Sequence, residues 1–478
     1  MEVESILKIL VLVIGFYMSW NIGANDVSNA MGTSVGSGAL TLRRAVILAA
    51  ILEFSGAFFV GSNVSETMQR GLIDTDMFLT EPMILILGMS GALMGTSLWL
   101  QIASYCGWPV STTHAIVGAI IGFGLTIGGV EAIQWEEVTS ILASWVLSPV
   151  ISAIFSYIIF SVLQKKILYA INPAGAAVKL LPYLSMVVFA VFTLSLIFNG
   201  LENVNVALSF PQAVLIAISI GFLAFGATYF LVRKKAKSPL FQTATTHSPQ
   251  SVVSLDKAIK HLQRVHANTV EGPHEKVSNI INEVKTLSAK LRKETSFSER
   301  TSEYKTVENM FVYLQILSAC FVAFAHGAND VANAIGPVAA VLDIIKNGAI
   351  SDVATVPSWL LAFGGLGIVV GLATWGWRVI ETIGKKITEL TPTRGFCAEF
   401  GAATTILLAS KCGLPISTTH CLVGAVLGVG LARGIRALNL GMIKDIVLSW
   451  IITIPASAIM SILVFYGLKT LFSYMNVL

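Results

Sequence analysis

The chain has 478 residues, of which 55% are hydrophobic and only 12% charged, with a mean hydropathy of +0.77. Soluble domains carry about 25% charged residues, so this composition excludes a soluble enzyme, a disordered chain and a nucleic-acid binder. The net charge of +4 is uneven: residues 233–305 hold 14 Lys/Arg against 7 Asp/Glu, a balance of +7 that leaves −3 for the rest.

At about 20 residues per crossing, so apolar a chain has room for roughly ten to twelve membrane helices. In chain order, apolar runs predict spans near 5–24, 45–63, 82–104, 114–130, 138–163, 181–199, 211–232, 308–326, 358–376, 396–410, 420–432 and 444–472. Met1 to Glu4 is acidic and no cleavage site follows, so the first run is read as a retained span and not as a signal peptide. The runs are continuous, not alternating, which argues against a β-barrel. Residues 238–305 are polar, with helical spacing of apolar residues around 256–270 and 275–293 (Val277, Ile280, Ile281, Val284, Leu287, Leu291). The insert begins at Arg233-Lys234-Lys235, directly after a span, and this places it on the cytoplasmic side. Its charge is not accompanied by interleaved aromatics, so it is not read as a nucleic-acid site. The expected organisation is a membrane half at 1–232, a helical insert at 233–307 and a second membrane half at 308–478. The five cysteines lie in apolar stretches, form no CxxC pair, and read as buried thiols.

The two halves repeat one another. Gly23-Ala24-Asn25-Asp26-Val27-Ser28-Asn29-Ala30 recurs as Gly327-Ala328-Asn329-Asp330-Val331-Ala332-Asn333-Ala334, identical at 7 of 8 positions. Ser104 to Leu125 recurs as Ser410 to Leu431, identical at 14 of 22, and both copies contain Pro-x-Ser-Thr-Thr-His (Pro109 to His114, Pro415 to His420). Ser144-Trp145 and Ser449-Trp450 follow at an offset of 305, beside 304 and 306 for the two motifs before them. A repeated membrane unit of this kind is the signature of a transporter with its substrate at the repeat interface. Periodicity alone leaves open whether the repeats are parallel or inverted.

Asp26 and Asp330 each follow an apolar run of about twenty residues, where a charge costs about 2.5–3.5 kcal/mol. Residues three apart share a helix face, so Asp26 with Asn29, and Asp330 with Asn333, present a carboxylate beside an amide, and Asn25 and Asn329 add further oxygens. Such an oxygen set suits a small hard cation. The flanking small residues suit a broken helix whose carbonyls join the cage. Ser111-Thr112-Thr113 and Ser417-Thr418-Thr419 each follow a proline and open a Gly-rich run, which is how a helix begins. A helix starting inside a membrane offers backbone N–H groups, a positive dipole end and hydroxyl donors, a setting for a tetrahedral oxyanion. Cations beside two buried aspartates would offset the repulsion an anion meets there, a physical basis for coupling.

Glu53 and Glu399 lie in similar local sequences inside apolar runs, although a gapless repeat offset aligns Glu399 with Leu93. They are candidates for coupling or gating, together with His114 and His420 of the repeated motif, the other reading of the two glutamates being simple pairing with polar groups. His326 also falls in a repeated motif, and a proton relay through these rings competes with a hydrogen-bonded structural role. Lys411 stands beside the second Ser-Thr-Thr motif, to contact the anion or to snorkel, and Glu202 is expected in a connecting turn.

With both motifs present twice and in the same order, the chain resembles the inorganic phosphate transporter (PiT) family over nearly all of 1–232 and 308–478. The resemblance implies an all-α membrane protein of about twelve transmembrane helices in two inverted repeats with broken or re-entrant segments, working as a homodimer. It implies cation-coupled uptake of inorganic phosphate across the cell membrane, with Asp26, Asn29, Asp330 and Asn333 on the cation and the two Ser-Thr-Thr motifs on phosphate. It sets Glu53 and Glu399 where the family has glutamates implicated in transport. The stretch from Trp375 through Lys386 looks like the sodium-coupled members, which favours sodium as the co-transported ion over a proton-coupled phosphate or sulfate permease of the same architecture. No resident cofactor is expected. A metal–phosphate complex as cargo, a gated channel, and an intramembrane hydrolase using Ser, His and Asp are the other readings. The last is disfavoured because each half carries its own Ser-Thr-Thr-His cluster. No Walker A sequence occurs, so ATP hydrolysis is not expected.

Overall fold

The computed structural model describes residues 2–62, 65, 72–200, 208–236, 249–267, 274–294, 297–350, 356–377, 379–380, 390–411, 416–434 and 438–475. Glu202, Cys412, Arg378 and 381–389 lie outside them, as does the Lys411 side chain, so the readings placed there have no structural counterpart.

The described chain is built from α-helices. The first half gives α1 (Glu2–Gly36), α2 (Leu42–Val60), α3 (Pro82–Cys106), α4 (Thr112–Gly128), α5 (Trp135–Leu163), α6 (Pro173–Gly200) and α7 (Phe210–Ala236). The insert gives α8 (Pro249–Ala267) and α9 (His274–Glu294). The second half gives α10 (Phe297–Asn347), α11 (Ser358–Thr374), α12 (Pro392–Lys411), α13 (Thr418–Arg433) and α14 (Leu440–Tyr474). Among the described residues, seven helices are long and apolar enough to cross a membrane, and three shorter apolar helices, α4, α11 and α13, accompany them. Outward apolar residues such as Leu215, Phe222, Leu223 and Phe230 on α7 are exposed, as lipid-facing side chains must be.

Two compact units result. One holds Met1–Ile159, Ala190–Ala217 and Val312–Leu478, and the other holds Phe160–Phe189 and Ile218–Phe311. The boundary does not follow the two halves read from the sequence: helices of both repeats interleave in the first unit. In the second unit α8 and α9 pack as a hairpin, with Ile281 buried and Ser288 Oγ donating to Asp256 Oδ1 at 3.2 Å. The Tyr304 hydroxyl donates to the Leu168 carbonyl at 3.0 Å.

Glycines set the helix spacing in the first unit. A β-carbon at Gly23 would overlap the Ile368 carbonyl oxygen, and one at Gly371 the Trp20 carbonyl oxygen, so α1 and α11 cross backbone to backbone. The repeat-related crossing joins α10 to α2 through Gly327 on Glu53 O and Gly56 on Phe324 O. In a lipid solvent such close backbone approach supplies the dispersion contact that holds helices together.

This corrects one expectation. The Gly-Ala-Asn-Asp segments are not helix breaks: α1 and α10 run unbroken through residues 23–30 and 327–334. Their glycines serve packing, so no free main-chain carbonyl is presented by a break there. The interruption falls at the other motif. α3 ends on Gly107, whose φ of 69° is a left-handed cap suited to glycine, and α4 begins only at Thr112. α13 begins at the matching Thr418.

Candidate functional site

The polar motifs meet inside the first unit, where Asp26, Asn29, Asp330, Asn333, Thr112, Thr113, Thr418 and Thr419 are all buried. Each Ser-Thr-Thr segment starts a helix. Ser111 has extended backbone and its Oγ accepts the His114 N–H at 3.1 Å, and Ser417 does the same for His420 N–H at 3.1 Å. The serine oxygens are therefore capping acceptors, while their own O–H protons are not used in those bonds. The following threonines face the Asp-Asn helices.

The pairing crosses between repeats. Asn29 of the first repeat donates through Nδ2 to Thr419 Oγ1 of the second at 2.8 Å and to Asp26 Oδ1 at 3.1 Å. Thr419 Oγ1 also lies 3.2 Å from both Asp26 Oδ1 and the Val110 carbonyl. In return, Asn333 of the second repeat donates to Thr113 Oγ1 at 3.2 Å and Thr112 Oγ1 at 3.4 Å of the first. Thr418 donates to Asp330 Oδ2 at 3.0 Å, and Asn329 Nδ2 to Asp330 Oδ1 at 2.7 Å. Asn25 commits its amide nitrogen elsewhere, donating to Ser104 Oγ at 3.0 Å and the Trp108 carbonyl at 3.2 Å, and its Oδ1 is left without a donor.

Several buried oxygens have no hydrogen-bond donor: Asn25 Oδ1, Asp26 Oδ2, Asn29 Oδ1 and Asn329 Oδ1. Buried polar atoms are satisfied in the great majority of cases, so a cluster of acceptors needs an explanation. Oxygens of amide and carboxylate type are the donor set of a hard cation.

His326 is the functional-site residue that motif reading underweighted. It is fully buried, with Nε2 3.0 Å from Asp330 Oδ2 and 4.0 Å from Asp26 Oδ2, and Nδ1 3.4 Å from Glu53 Oε1. Asp26, His326 and Asp330 bring one ligand atom each to within 4.8 Å of one another. The signal was present in the sequence: His326 and Asp330 are spaced i, i+4 on one helix, hence on one face.

The other candidates fall elsewhere. Glu399 is fully buried away from this cluster, accepting from Thr33, from Ser34 at 2.7 Å, from Ser318 at 2.5 Å and from Gln315 Nε2 at 3.4 Å. Glu53 and Glu399 thus occupy different surroundings despite their similar sequences. The His114 and His420 rings meet each other and two tryptophans: their ring centroids are 4.2 Å apart, His114 lies tilted against Trp145 at 3.7 Å, and His420 stacks on Trp450 at 3.6 Å.

Comparison with known proteins agrees with this architecture. Residues 22–461 match the phosphate transporter family. The chain belongs to that family. It is 47% identical over 470 residues to a protein named as a phosphate permease in Chlamydia pneumoniae, covering 98% of this chain and 99% of that one. It is 44% identical over 467 residues to the chloroplastic inorganic phosphate transporter 2-1 of Arabidopsis thaliana, covering 96% of this chain and 71% of that protein. A solved structure described as the sodium-dependent phosphate transporter superposes with a TM-score of 0.78 at 35% identity, covering 97% of this chain and 99% of the other. As a member of this family the chain is a multi-pass membrane protein of phosphate transport and not an enzyme.

Proposed function

We propose that this chain is a secondary symporter that moves inorganic phosphate together with sodium ions. The observation that carries the reading is the crossed pairing: the carboxylate–amide helix of each repeat is bonded to the threonines that open the re-entrant helix of the other. An anion held at those two helix starts meets two positive dipole ends and backbone N–H donors. A cation among the donor-less oxygens of Asn25, Asp26, Asn29 and Asn329 offsets the carboxylate charge that phosphate would otherwise meet. In this reading Thr112, Thr113, Thr418 and Thr419 hold phosphate through their hydroxyls, with Ser111 and Ser417 fixing the helix ends and adding their O–H protons. Asp26, Asn29, Asp330 and Asn333 serve the cation. Glu53 and Glu399 act in coupling, and the His114–His420 contact joins the two re-entrant helices. Twelve membrane segments in two inverted repeats, a homodimer, and a cytoplasmic insert complete the reading. Sodium is favoured over protons by the donor set, which is oxygen apart from one imidazole, and by the sodium-dependent neighbour.

The test is phosphate uptake into proteoliposomes under an imposed sodium or proton gradient. Sodium-driven uptake is expected. Asp26→Asn and Asp330→Asn are each expected to lower it by at least about tenfold, the scale of a lost buried charged contact, with folded protein still recovered by size-exclusion chromatography. Uptake driven by protons alone, or unchanged in both variants, would overturn the assignment.

A further inference from the structure

The two aspartates are equivalent in sequence and inequivalent in surroundings. Asp330 is fully engaged: Oδ1 takes the Asn329 amide at 2.7 Å, and Oδ2 takes the Thr418 hydroxyl at 3.0 Å and contacts His326 Nε2 at 3.0 Å. Asp26 is engaged on one side only. Its Oδ1 takes Asn29 at 3.1 Å and Thr419 at 3.2 Å, whereas Oδ2 accepts no hydrogen bond, and the His326 ring stands 4.0 Å off. Two of the other donor-less amide oxygens, on Asn25 and Asn29, belong to the same repeat as Asp26.

The cause of the asymmetry lies in two positions. At the repeat-related helix crossings Gly327 approaches the backbone of Glu53, and Gly23 approaches that of Ile368. Ile368 is therefore the counterpart of Glu53, and Ile22, which precedes Gly23, is the counterpart of His326. All four side chains are buried. One crossing carries a Glu–His pair in contact at 3.4 Å, and the other carries two isoleucines. Glu53 Oε1 lies against one ring nitrogen of His326 and Asp330 Oδ2 against the other, as close contacts without hydrogen-bond geometry.

We infer that Glu53 and His326 are positioning residues that hold Asp330 as a fixed, fully partnered acceptor, so that the first alkali cation binds on the Asp26 side, at Asp26 Oδ2 with the amide oxygens of Asn25 and Asn29. This rests on the cation reading above and deepens it: the repeat is two-fold in sequence but its first cation is bound by one half. Both aspartates remain necessary for transport, since Asp330 still orders Thr418 at the start of α13.

Binding without transport separates the two. The purified full chain in detergent is unfolded thermally in sodium chloride against choline chloride at equal ionic strength, since a ligand that binds only the folded state raises the unfolding temperature. Sodium is expected to raise it in the wild type. Asp26→Asn is expected to remove roughly three-quarters or more of that shift, and Asp330→Asn to keep at least about half, as follows when one ion dominates the linkage. Replacing the pair by its repeat counterpart, Glu53→Ile with His326→Ile, removes both partners of a buried contact, which folded proteins tolerate far better than losing one. The sodium dependence of the shift should then steepen towards two ions, because Asp330 is released. If that double variant does not fold, Glu53→Gln with His326→Gln serves the same comparison. A shift abolished equally by Asp26→Asn and Asp330→Asn, or abolished by Asp330→Asn alone, would overturn the asymmetry. No sodium shift in the wild type would overturn the cation reading itself, and this inference with it.

Discussion

Asn29 and Asn333 do the same work in opposite directions, each reaching from its own repeat to a threonine of the other. The residue types were readable, because a carboxylate and an amide duplicated three apart inside apolar runs have few bland explanations. The partners were not readable, since residues 29 and 419 meet only through tertiary packing. His326 reads only alongside His114 and His420, and its spacing to Asp330 alone does not set it apart as the ring between Asp26, Glu53 and Asp330; Ile22 stands at its position in the first repeat. Glu53 and Glu399 have similar local sequences, but the repeat offset does not align them, and their surroundings differ. Glu399 sits instead in a hydroxyl and amide cradle from α1 and α10, built from Thr33, Ser34, Ser318 and Gln315. An acceptor with this many donors is costly to delete. Glu399→Ala strands several buried donors and is expected to destabilise by about 3–5 kcal/mol, whereas Glu399→Gln keeps one acceptor oxygen and should cost less than half as much. Thermal unfolding of both variants in detergent checks this, and equal losses would show that the carboxylate is not what the cradle holds.

At the scale of elements, the sequence marks where helices start better than where they continue. Proline followed by Ser-Thr-Thr announced α4 and α13, and both begin there with a serine cap. The Gly-Ala-Asn-Asp segment looked like a break because glycine inside a helix costs about 0.5–1 kcal/mol, and in isolation it does. Here the cost is offset by backbone contact with a crossing helix, and nothing local to residues 23 or 327 announces a partner at 368 or 53. Two substitutions on glycines separate packing from flexibility. A β-carbon at Gly327 collides with the Glu53 backbone, so Gly327→Ala is expected to force α10 from α2 and destabilise by about 1–3 kcal/mol or more. Gly226 on α7 has open space around it, so Gly226→Ala should be neutral or stabilise by up to about 1 kcal/mol through helix propensity. Unfolding temperatures measured side by side decide the matter: comparable effects at the two positions would remove the close-crossing argument.

For the whole molecule, the interleaving of helices from both halves in the first unit has a mechanical consequence. The glycine contacts of the first unit that bring one helix backbone against another run from one repeat to the other. α1 meets α11 and α2 meets α10, as above. α4 meets α14 at Gly118 on Ile454 and Gly122 on Ala458, and α13 meets α5 at Gly424 on Pro149 and Gly428 on Ala153. Hydroxyls add to the last crossing, with Ser152 donating to the Cys421 carbonyl at 2.6 Å and Ser156 to the Ala425 carbonyl at 2.8 Å. Each repeat on its own would leave these small-residue faces against lipid, without the helix–helix contact that membrane packing depends on, and would leave Asp26 without Thr419 and Asn333 without Thr112 and Thr113. The halves should therefore be stable only together, and the covalent link between them should be dispensable. Cutting the chain between Ala267 and His274 tests this. Co-expressed fragments ending and starting at those residues are expected to co-purify as one folded species and to retain phosphate uptake within about threefold of the intact chain, since the linkage contributes only a loop-closure term. Either fragment expressed alone should be recovered at a small fraction of that yield. A fragment that folds and persists alone would mean that the interleaved crossings are not what holds the molecule together, and that each repeat has a core of its own.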